Sequence, residues 1–364
     1  MIVVNARFLT QSTTGIQRFA TEIARELLRL RADVVLAVPR GPIDPRGLDE
    51  TRIVRVGRLA GHAWEQIDLP LFARRRGAVV LGLASTGPVW YRPQVSTHHD
   101  VTWLRHPDSF GRRFRAVYGL IVPRLIDHSE RLLTVSAFSR GEIAAHFGIS
   151  PERLTIVPNA ADARFRPADD DAPRATERYL LAVSSPNAHK NFARMIDGFR
   201  RFSRAHPDVE LRVVGSQTRS FARQEYDASD ARVRFLGRVD DAALAELYRG
   251  ALAFVFPSLY EGFGIPPLEA QQCGCPVIAA RAASLPEVLS DSALFVDPYD
   301  VDDLAAAMAR IVDDDGLRAR LSDEGLRNAG RFSWRTSAER VSRVLDDVVA
   351  GRAPRSREPH RVGL

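Results

Sequence analysis

Cysteine is almost absent from this chain of 364 residues, which contains only Cys273 and Cys275. Two thiols separated by one residue suit neither a disulfide framework nor a structural zinc site. We therefore interpret both as small packing residues. The acidic runs Asp169-Asp-Asp171 and Asp313-Asp-Asp315 lack the apolar strand flanks of an acidic metal motif. The sequence thus predicts no metal site.

Long apolar runs are also missing, because even a stretch such as 251–257 is only as long as a strand and far short of the ~20 residues that span a bilayer. The chain enters an apolar segment at once, without the basic start and apolar stretch of a secretory signal. These features predict a cytoplasmic protein, with peripheral contact at the inner face of a membrane as a further option.

Lysine is the scarcest basic residue, since of 51 lysines and arginines only Lys190 is a lysine. A net charge of +6 is compatible with nucleic acid, an anionic membrane surface or phosphorylated substrates. The arginines are dispersed rather than interleaved with aromatic residues, so we expect no nucleic-acid partner. The cluster Arg74-Arg75-Arg76 would either contact anionic lipid headgroups or, as we favour, end a helix in solvent.

The length exceeds the roughly 250 to 300 residues at which a single core stops growing, so we expect two domains with an active site in the cleft between them. Short β-branched runs alternate with segments of helical periodicity, which predicts an α/β fold with parallel sheets. The predicted strands are Ile2–Val4, Val34–Val38, Ile53–Val56, Val79–Leu83, Val95–His98, Leu132–Val135, Thr155–Val157, Tyr179–Ser184, Leu211–Gly215, Val233–Leu236, Ala253–Phe256, Val277–Ala279 and Ala293–Val296. The predicted domain limits are 1–165, a linker 166–178, 179–331, a final amphipathic helix 332–350 and a disordered basic tail 351–364.

The densest chemical motif is PSLYEGFGIPPLEA at 257–270, where a strand ends, a glycine-containing turn follows, and Pro266 and Pro267 suit the first turn of a helix. The glycines let backbone amides approach a ligand closely, and the helix N-terminus favours a phosphate. Glu261 and Glu269 lie on opposite sides of the turn, so they can accept hydrogen bonds from two separate sets of hydroxyls. A nucleotide sugar offers such sets.

This string resembles the Glu-x7-Glu motif of family 4, a large family of retaining glycosyltransferases with the GT-B fold. The resemblance extends over about residues 5–334. In the second half it includes a donor-phosphate loop, SSPNAHKNF at 184–192, and the downstream strings GCPVI at 274–278 and SLPEV at 284–288. In the first half it includes a glycine loop, GIQR at 15–18, a histidine motif at His99 and Asp100, TVSAFS at 134–139 and VPN at 157–159.

The resemblance implies two Rossmann-like domains whose parallel sheets face each other across a cleft, the first binding the acceptor and the second the nucleotide sugar. It also implies that the final helix crosses back onto the first domain. The face expected to pack there carries Val341, Val344, Leu345 and Val348.

The resemblance also assigns roles at the site. Glu269 would bind the ribose hydroxyls, Glu261 the transferred sugar and Lys190 the diphosphate. Backbone amides in the glycine turn would face sugar and phosphate, at Gly262, Phe263 and Gly264. The predicted donor-binding set is completed by Gly15, Arg18, Asp100, His189 and Ser184.

His99 closes a predicted strand, where ligands gather in open α/β sheets. It would bind the transferred sugar or orient the acceptor, the alternative being a purely structural histidine. Many relatives carry an arginine just before the phosphate-binding lysine, where this chain has His189. A protonated His189, Arg18 or Arg281 would then supply the second positive charge.

The mechanism implied by the resemblance needs no metal, no cofactor and no protein nucleophile. The acceptor hydroxyl attacks on the face that the leaving group departs from, assisted by the departing phosphate. Lys190 and the helix N-terminus stabilise the negative charge that develops on the diphosphate. A glycosidase would also use two carboxylates. We reject that interpretation because Glu269 belongs at the ribose end.

The donor is expected to be a nucleoside-diphosphate sugar, with GDP-mannose as the first choice, and the acceptor a hydroxyl of a glycan or glycolipid intermediate of surface polysaccharide synthesis. A dTDP- or UDP-sugar donor with a small-molecule acceptor is one alternative, and a sugar-nucleotide epimerase on the same scaffold is another. A non-catalytic sugar-nucleotide-binding protein is the alternative of a different class. The pattern specifies no oligomeric state.

Overall fold

The computed structural model describes residues 1–168, 177–183, 187–215 and 231–351. The chain divides into two compact units. The first comprises Met1–Trp103, Phe110–Asn159 and Trp334–Leu364, and the second comprises Leu104–Ser109 and Ala160–Ser333. Part of the predicted linker, including the Asp169 run, lies outside the described residues, as does almost all of the predicted basic tail.

The first unit is built on a parallel sheet whose strands are ordered β3-β2-β1-β4-β5-β6-β7. The strands are β1 (Ile2–Asn5), β2 (Val34–Val38), β3 (Ile53–Arg55), β4 (Val79–Gly82), β5 (Gln94–Thr97), β6 (Arg131–Thr134) and β7 (Leu154–Ile156). The helices of this half of the chain are α1 (Gly15–Leu30), α2 (Gly61–Gln66), α3 (Asp68–Arg74), α4 (Thr102–Arg105), α5 (Arg112–His128) and α6 (Ala137–Phe147). The central strands β1 and β4 are buried throughout, as expected when helices cover both faces of a parallel sheet.

The second unit repeats the architecture with the strand order β10-β9-β8-β11-β12-β13, again all parallel. The strands are β8 (Tyr179–Val183), β9 (Glu210–Val214), β10 (Val233–Gly237), β11 (Ala253–Phe256), β12 (Val277–Ala280) and β13 (Leu294–Val296). The helices are α7 (Phe192–Phe202), α8 (Asp241–Gly250), α9 (Ile265–Gln272), α10 (Leu285–Leu289), α11 (Val301–Asp313) and α12 (Asp315–Ala329). Helix α7 buries Met195, Ile196 and Phe199 against the sheet and α11.

The predicted α/β class with two Rossmann-like domains is therefore confirmed. In each sheet the strand order reverses once, between β1 and β4 in the first and between β8 and β11 in the second. At such a reversal the loops leave the carboxyl ends of neighbouring strands in opposite directions and open a crevice, which is where open α/β sheets bind ligands. The topology thus marks one candidate ligand position in each unit.

The last helix, α13 (Trp334–Val349), belongs to the first unit although it follows the second unit in the chain. Its apolar side chains at 341, 344, 345 and 348 are buried. Arg31, which follows α1, donates to Ser342 Oγ at 2.9 Å and to Asp346 Oδ1 at 2.6 Å. At the start of α13, Ser337 Oγ donates to the carbonyl oxygen of Pro158 at 2.7 Å. Helix α13 is thus held by both apolar packing and hydrogen bonds.

The two cysteines are free and buried, and burial raises the pKa of the Cys273 thiol to about 12 and that of Cys275 as well. Both therefore behave as packing residues, as predicted. In the described part of the chain no helix combines the length and the apolar composition needed to cross a membrane.

Candidate active site

The reversal point of the second sheet brings Lys190 and Glu261 into direct contact. Lys190 follows β8 and Glu261 follows β11, which is the neighbouring strand. The ammonium Nζ of Lys190 donates to Glu261 Oε1 at 2.6 Å, and both side chains are only partly exposed. Two motifs separated by 71 positions therefore meet where the topology places a ligand crevice.

The Glu261 carboxylate is held by a second donor, because Ser258 Oγ lies 2.6 Å from the same oxygen, Oε1. Its backbone is fixed as well, since Ser284 Oγ donates to the Glu261 carbonyl oxygen at 2.9 Å. The first bond lies within the loop after β11, and the second joins that loop to the start of α10. These two bonds fix the position of the Glu261 carboxylate.

The loop that carries Lys190 is tied to the strand ends around it. Asn191 adopts the left-handed conformation with φ +57° and donates from Nδ2 to the carbonyl oxygens of Pro257 at 3.1 Å and Pro298 at 2.6 Å. The backbone amide of Leu259 donates to the His189 carbonyl oxygen at 2.8 Å. These bonds fix the lysine backbone on both sides. The loop therefore holds Lys190 in a defined position.

His189 is buried, and its Nδ1 lies 3.0 Å from Ser109 Oγ. Burial, with the neighbouring Lys190 charge, lowers the pKa of His189 to about 4. The ring is therefore neutral near pH 7, which corrects the expectation that a protonated His189 supplies the second positive charge. Arg281 is exposed, with its guanidinium carbon 5.0 Å from the Phe295 ring centroid.

The glycine turn has the geometry that the motif predicts. Gly264 precedes α9 with φ +96°, and a Cβ added there would lie 2.8 Å from Leu285 Cδ2. Pro266 and Pro267 occupy the first turn of the helix, as predicted. Gly262, Phe263 and Gly264 are all buried. The backbone therefore approaches α10 more closely than any residue other than glycine would allow at position 264.

Glu269 lies in the second turn of α9 and is buried, with only 4% of its surface exposed. Ser184, the remaining predicted donor residue of this half, lies outside the described residues.

In the first unit, His99 is a buried ring with two contacts. Its Nε2 lies 3.0 Å from the Leu83 carbonyl oxygen, and the ring packs edge-on against Phe19 at 4.8 Å. A carbonyl oxygen only accepts, so Nε2 carries the proton and Nδ1 is left as an acceptor. Burial lowers the pKa of His99, which makes it neutral near pH 7. The structural role that the sequence left open is thus present, and Nδ1 forms no hydrogen bond with any residue that the structure describes.

The other predicted residues of the first unit, Gly15, Arg18 and Asp100, lie at the starts of α1 and α4. Gly15 is the first residue of α1 and Arg18 lies in its first turn, directly before Phe19. Asp100 accepts from the Thr102 amide at 2.8 Å and so caps α4. The structure therefore places α1 beside His99 through Phe19, while the Asp100 carboxylate is engaged by backbone.

A polar cluster that the sequence analysis missed lies at the reversal point of the first sheet. The Glu65 carboxylate, which is 1% exposed, accepts hydrogen bonds from Asn5 Nδ2 and Thr86 Oγ1, both at 2.8 Å. It also forms an ion pair with Arg7, whose Nε lies 3.0 Å from Oε1. His62 Nδ1 lies 2.8 Å from the other carboxylate oxygen. Although burial raises the pKa of Glu65, the bond to His62 and the other partners outweigh it and lower the pKa overall. The cluster is therefore charged and rigid.

An aromatic ladder on and around α5 extends from this cluster. Phe114 stacks on Phe110 at 5.1 Å and on Tyr118 at 3.9 Å, and Trp103 meets Tyr118 edge-on at 6.0 Å. Burial raises the pKa of the Tyr118 hydroxyl to about 12. The charge of Arg7 acts to lower this pKa, and the charge of Glu65 acts to raise it. In the sequence, this ladder is indicated by the four-residue spacing of Phe110, Phe114 and Tyr118, because residues four apart lie on one face of a helix.

No group of three or more His, Cys, Asp or Glu side chains among the described residues is arranged to hold a metal ion.

Two family models match the chain. The model of glycosyl transferases group 1 matches residues 167–327, and that of glycosyltransferase family 4 matches residues 13–165. The matches thus cover both units.

Curated relatives include three bacterial enzymes. The O-antigen chain mannosyltransferase B of Escherichia coli is 30% identical over 267 residues, which are 68% of this chain and 70% of that protein. The MMP alpha-(1->4)-mannosyltransferase of Mycolicibacterium hassiacum is 33% identical over 278 residues, or 71% and 66% of the two lengths. The D-inositol 3-phosphate glycosyltransferase of Corynebacterium kroppenstedtii is 30% identical over 295 residues, or 72% and 63%.

Solved structures include Anabaena Alr3699/HepE in complex with UDP, which superposes with a TM-score of 0.72 at 18% identity. The superposition covers 95% of this chain and 99% of that one. The likeness extends over both units and shows the same fold.

Proposed function

This chain belongs to the family 4 glycosyltransferases, and we propose that it transfers a hexose from a nucleoside-diphosphate sugar to a hydroxyl acceptor with retention of anomeric configuration. The observation that carries this proposal is the Lys190–Glu261 contact at the reversal point of the second sheet. It joins a cation for the diphosphate to a carboxylate for sugar hydroxyls in a single rigid crevice.

The proposed chemistry follows from charge. When the bond between the anomeric carbon and the phosphate oxygen breaks, the bonding electron pair stays on the diphosphate and the sugar becomes oxocarbenium-like. Lys190 and the amides of the turn before α9 stabilise the departing diphosphate, most strongly in the transition state. The acceptor oxygen forms the new bond to the anomeric carbon on the same face, and its proton passes to the phosphate oxygen that has just left. Glu269 holds the ribose and Glu261 the transferred sugar.

GDP-mannose is the donor we propose. Two of the relatives above are mannosyltransferases by name, at 30% and 33% identity, which supports the mannosyl group. The alternative is a UDP-sugar, which is favoured by the fold neighbour that was solved with UDP. For the acceptor we propose a glycan or glycolipid hydroxyl, whose recognition in the first unit would use the Arg7 and Glu65 cluster and the Tyr118 hydroxyl.

A thermal-shift panel tests the donor. GDP-mannose, UDP-glucose, UDP-galactose and dTDP-rhamnose are each added at the same concentration. The stabilisation of the folded state rises with the ratio of ligand concentration to Kd and reaches about 4 kcal/mol at roughly 1,000 times Kd, so the donor that binds most tightly gives the largest shift. We expect GDP-mannose to give the largest shift. A larger shift with UDP-glucose would replace the proposed donor, and no shift with any donor would contradict a donor site at Lys190 and Glu261.

A product assay separates the remaining alternatives. The stabilising donor is incubated with the enzyme and candidate acceptors, and the products are followed by NMR. A new α-linked glycoside with release of nucleoside diphosphate is the expected result. Interconversion of the sugar without an acceptor would instead indicate an epimerase. Tight donor binding without any turnover would indicate a binding protein.

A further inference from the structure

The first unit exposes large apolar side chains that its core does not use. Ile67, immediately before α3, and Leu71, one turn later, are 50% and 47% exposed, and Trp90, in the loop between β4 and β5, is 69% exposed. Leu120 on α5 is 57% exposed. One exposed apolar residue needs no explanation, but four in neighbouring elements suggest a binding surface.

Hydrogen bonds link the start of α3 to the loop that carries Trp90. Gln66, the residue before Ile67, donates from Nε2 to the Gly87 carbonyl oxygen at 2.8 Å. Its Oε1 accepts from the Val89 amide at 3.0 Å. Ile67 and Trp90 each follow a residue of the bonded pair Gln66 and Val89, so the two backbone segments that carry these exposed side chains lie close together.

Side-chain contacts continue the surface from Trp90 to α5. The Trp90 ring packs edge-on against the His128 ring at 4.9 Å. His128 Nδ1 lies 2.9 Å from the Arg124 carbonyl oxygen, and the Arg124 guanidinium donates to the Leu120 carbonyl oxygen at 2.8 Å. Residues 120, 124 and 128 thus form one face of α5, which leads from Trp90 to Leu120.

Basic side chains lie on the same elements as these apolar ones. Arg74, Arg75 and Arg76 are exposed at the end of α3, and the Tyr91 hydroxyl donates to the carbonyl oxygen of Ala78, so the loop with Trp90 reaches this end. Arg74 and Arg75 form no side-chain hydrogen bond or ion pair with any described residue. Arg124 adds an exposed positive charge on α5, where Asp127 is the exposed acid.

We propose that the face formed by Ile67, Leu71, Trp90 and Leu120, together with its basic rim, docks onto an anionic lipid bilayer. Apolar side chains would enter the interfacial layer while the arginines meet lipid phosphates. A tryptophan ring is well suited to that layer because it is amphipathic. A second copy of the chain is a poorer occupant, since a two-fold dimer through this face would bring the two basic rims together.

Vesicle sedimentation of the full-length protein tests the proposal without any substrate. The vesicles are phosphatidylcholine alone or phosphatidylcholine mixed with phosphatidylglycerol. We expect binding to the anionic vesicles that decreases as salt is added, and little binding to the neutral ones. Trp90 is the most exposed tryptophan, so its emission should shift to the blue on binding; Trp90→Phe should bind but lose most of that shift.

Two double variants locate the surface. Trp90→Ser with Leu71→Ser should abolish sedimentation, whereas Val349→Ser, a change at an exposed apolar residue of α13, should not. Arg74→Gln with Arg75→Gln should weaken binding on the order of 20-fold, because each arginine near an anionic lipid surface strengthens binding about 5-fold. Arg204→Gln with Arg343→Gln removes the same charge from other exposed positions and should bind like the parent. Every variant keeps residues 352–364.

Parent-like binding of both surface variants would overturn the proposal, and so would equal binding to neutral and anionic vesicles. Light scattering addresses the competing occupant: a parent dimer that Trp90→Ser converts to a monomer would assign the face to self-association and would also overturn it. Donor-induced thermal stabilisation, measured on every variant, confirms that each one is folded.

Discussion

Lys190 and Glu261 form a 2.6 Å ion pair at the point where the second sheet reverses its strand order. The ammonium donates to the carboxylate, and the Ser258 hydroxyl donates to the same carboxylate oxygen. A donor diphosphate would compete with Glu261 for the ammonium, and the sugar hydroxyls would take the place of the ammonium on the carboxylate. Donor binding is thus expected to exchange one set of charge-assisted bonds for another.

Lys190→Ala should reduce turnover by roughly 30- to 1,000-fold, because loss of a charge-assisted contact to the departing diphosphate costs about 2 to 4 kcal/mol in comparable cases. Lys190→Arg should also be impaired, although less severely, since the longer planar head displaces the charge. The measurement is kcat with the natural donor. Arg204→Ala, an exposed cation of the same unit, serves as the control. Turnover of Lys190→Ala near the parent rate would refute the assignment.

Glu261→Ala and Glu269→Ala should fail in different ways. Glu269→Ala removes the expected ribose ligand and should weaken binding of the free nucleoside diphosphate. Glu261→Ala frees the Lys190 ammonium from its carboxylate partner, so the diphosphate affinity should be unchanged or higher while turnover falls. Isothermal titration with the nucleoside diphosphate and steady-state kinetics measure the two effects. Equal loss of nucleotide affinity in both variants contradicts these roles.

Gly264→Ala should destabilise the protein by about 1 to 3 kcal/mol, because φ +96° is strained for alanine and the new methyl group would meet Leu285 at 2.8 Å. Chemical unfolding measures the change. Adding Leu285→Ala relieves the contact but not the backbone strain, so Gly264→Ala should then cost less than in the parent without becoming neutral. Gly141→Ala, where an added Cβ meets open space, is the control and should not destabilise.

His98 should make stability depend on pH below neutrality. Burial lowers its pKa to about 3, whereas an unfolded histidine titrates near 6.5. Since the unfolded state takes up the proton first, the contribution of the neutral ring is complete above about pH 6.5 and is lost as the pH falls toward 3. His98→Asn should reduce the slope of the unfolding free energy by about 1.4 kcal/mol per pH unit between roughly pH 4 and 6. An unchanged slope would argue against a buried neutral His98.

The fold could be predicted from the sequence because each strand of a parallel sheet is a short apolar run that needs no distant information. Every predicted strand overlaps a strand of the structure. The ends differ by at most one residue, as at β5, which runs from Gln94 to Thr97 instead of from Val95 to His98. Where a strand ends depends on its partner's hydrogen bonds, which the local pattern does not contain.

The site could be predicted only where a motif is continuous in sequence. The glycine turn and its two glutamates form such a motif. The hydrogen-bond partners of Glu65, in contrast, lie 60 and 21 residues away in the sequence, and no sequence pattern indicates that they meet. Burial is another property that the sequence did not supply. Trp64 is fully buried with its indole bonded to Val56, while Trp90 is exposed. The neutral state of His189 also depends on burial, because burial lowers its pKa.

Because Cys273 and Cys275 are buried thiols with raised pKa values, thiol-reactive probes at neutral pH will leave them largely unmodified. A cysteine introduced at an exposed position can therefore be labelled selectively without first removing the native ones. Val349→Cys in the first unit and Arg204→Cys in the second would carry a pair of nitroxide labels. Pulsed electron spin resonance on that pair would then measure the separation of the two units in solution, before and after a donor is added.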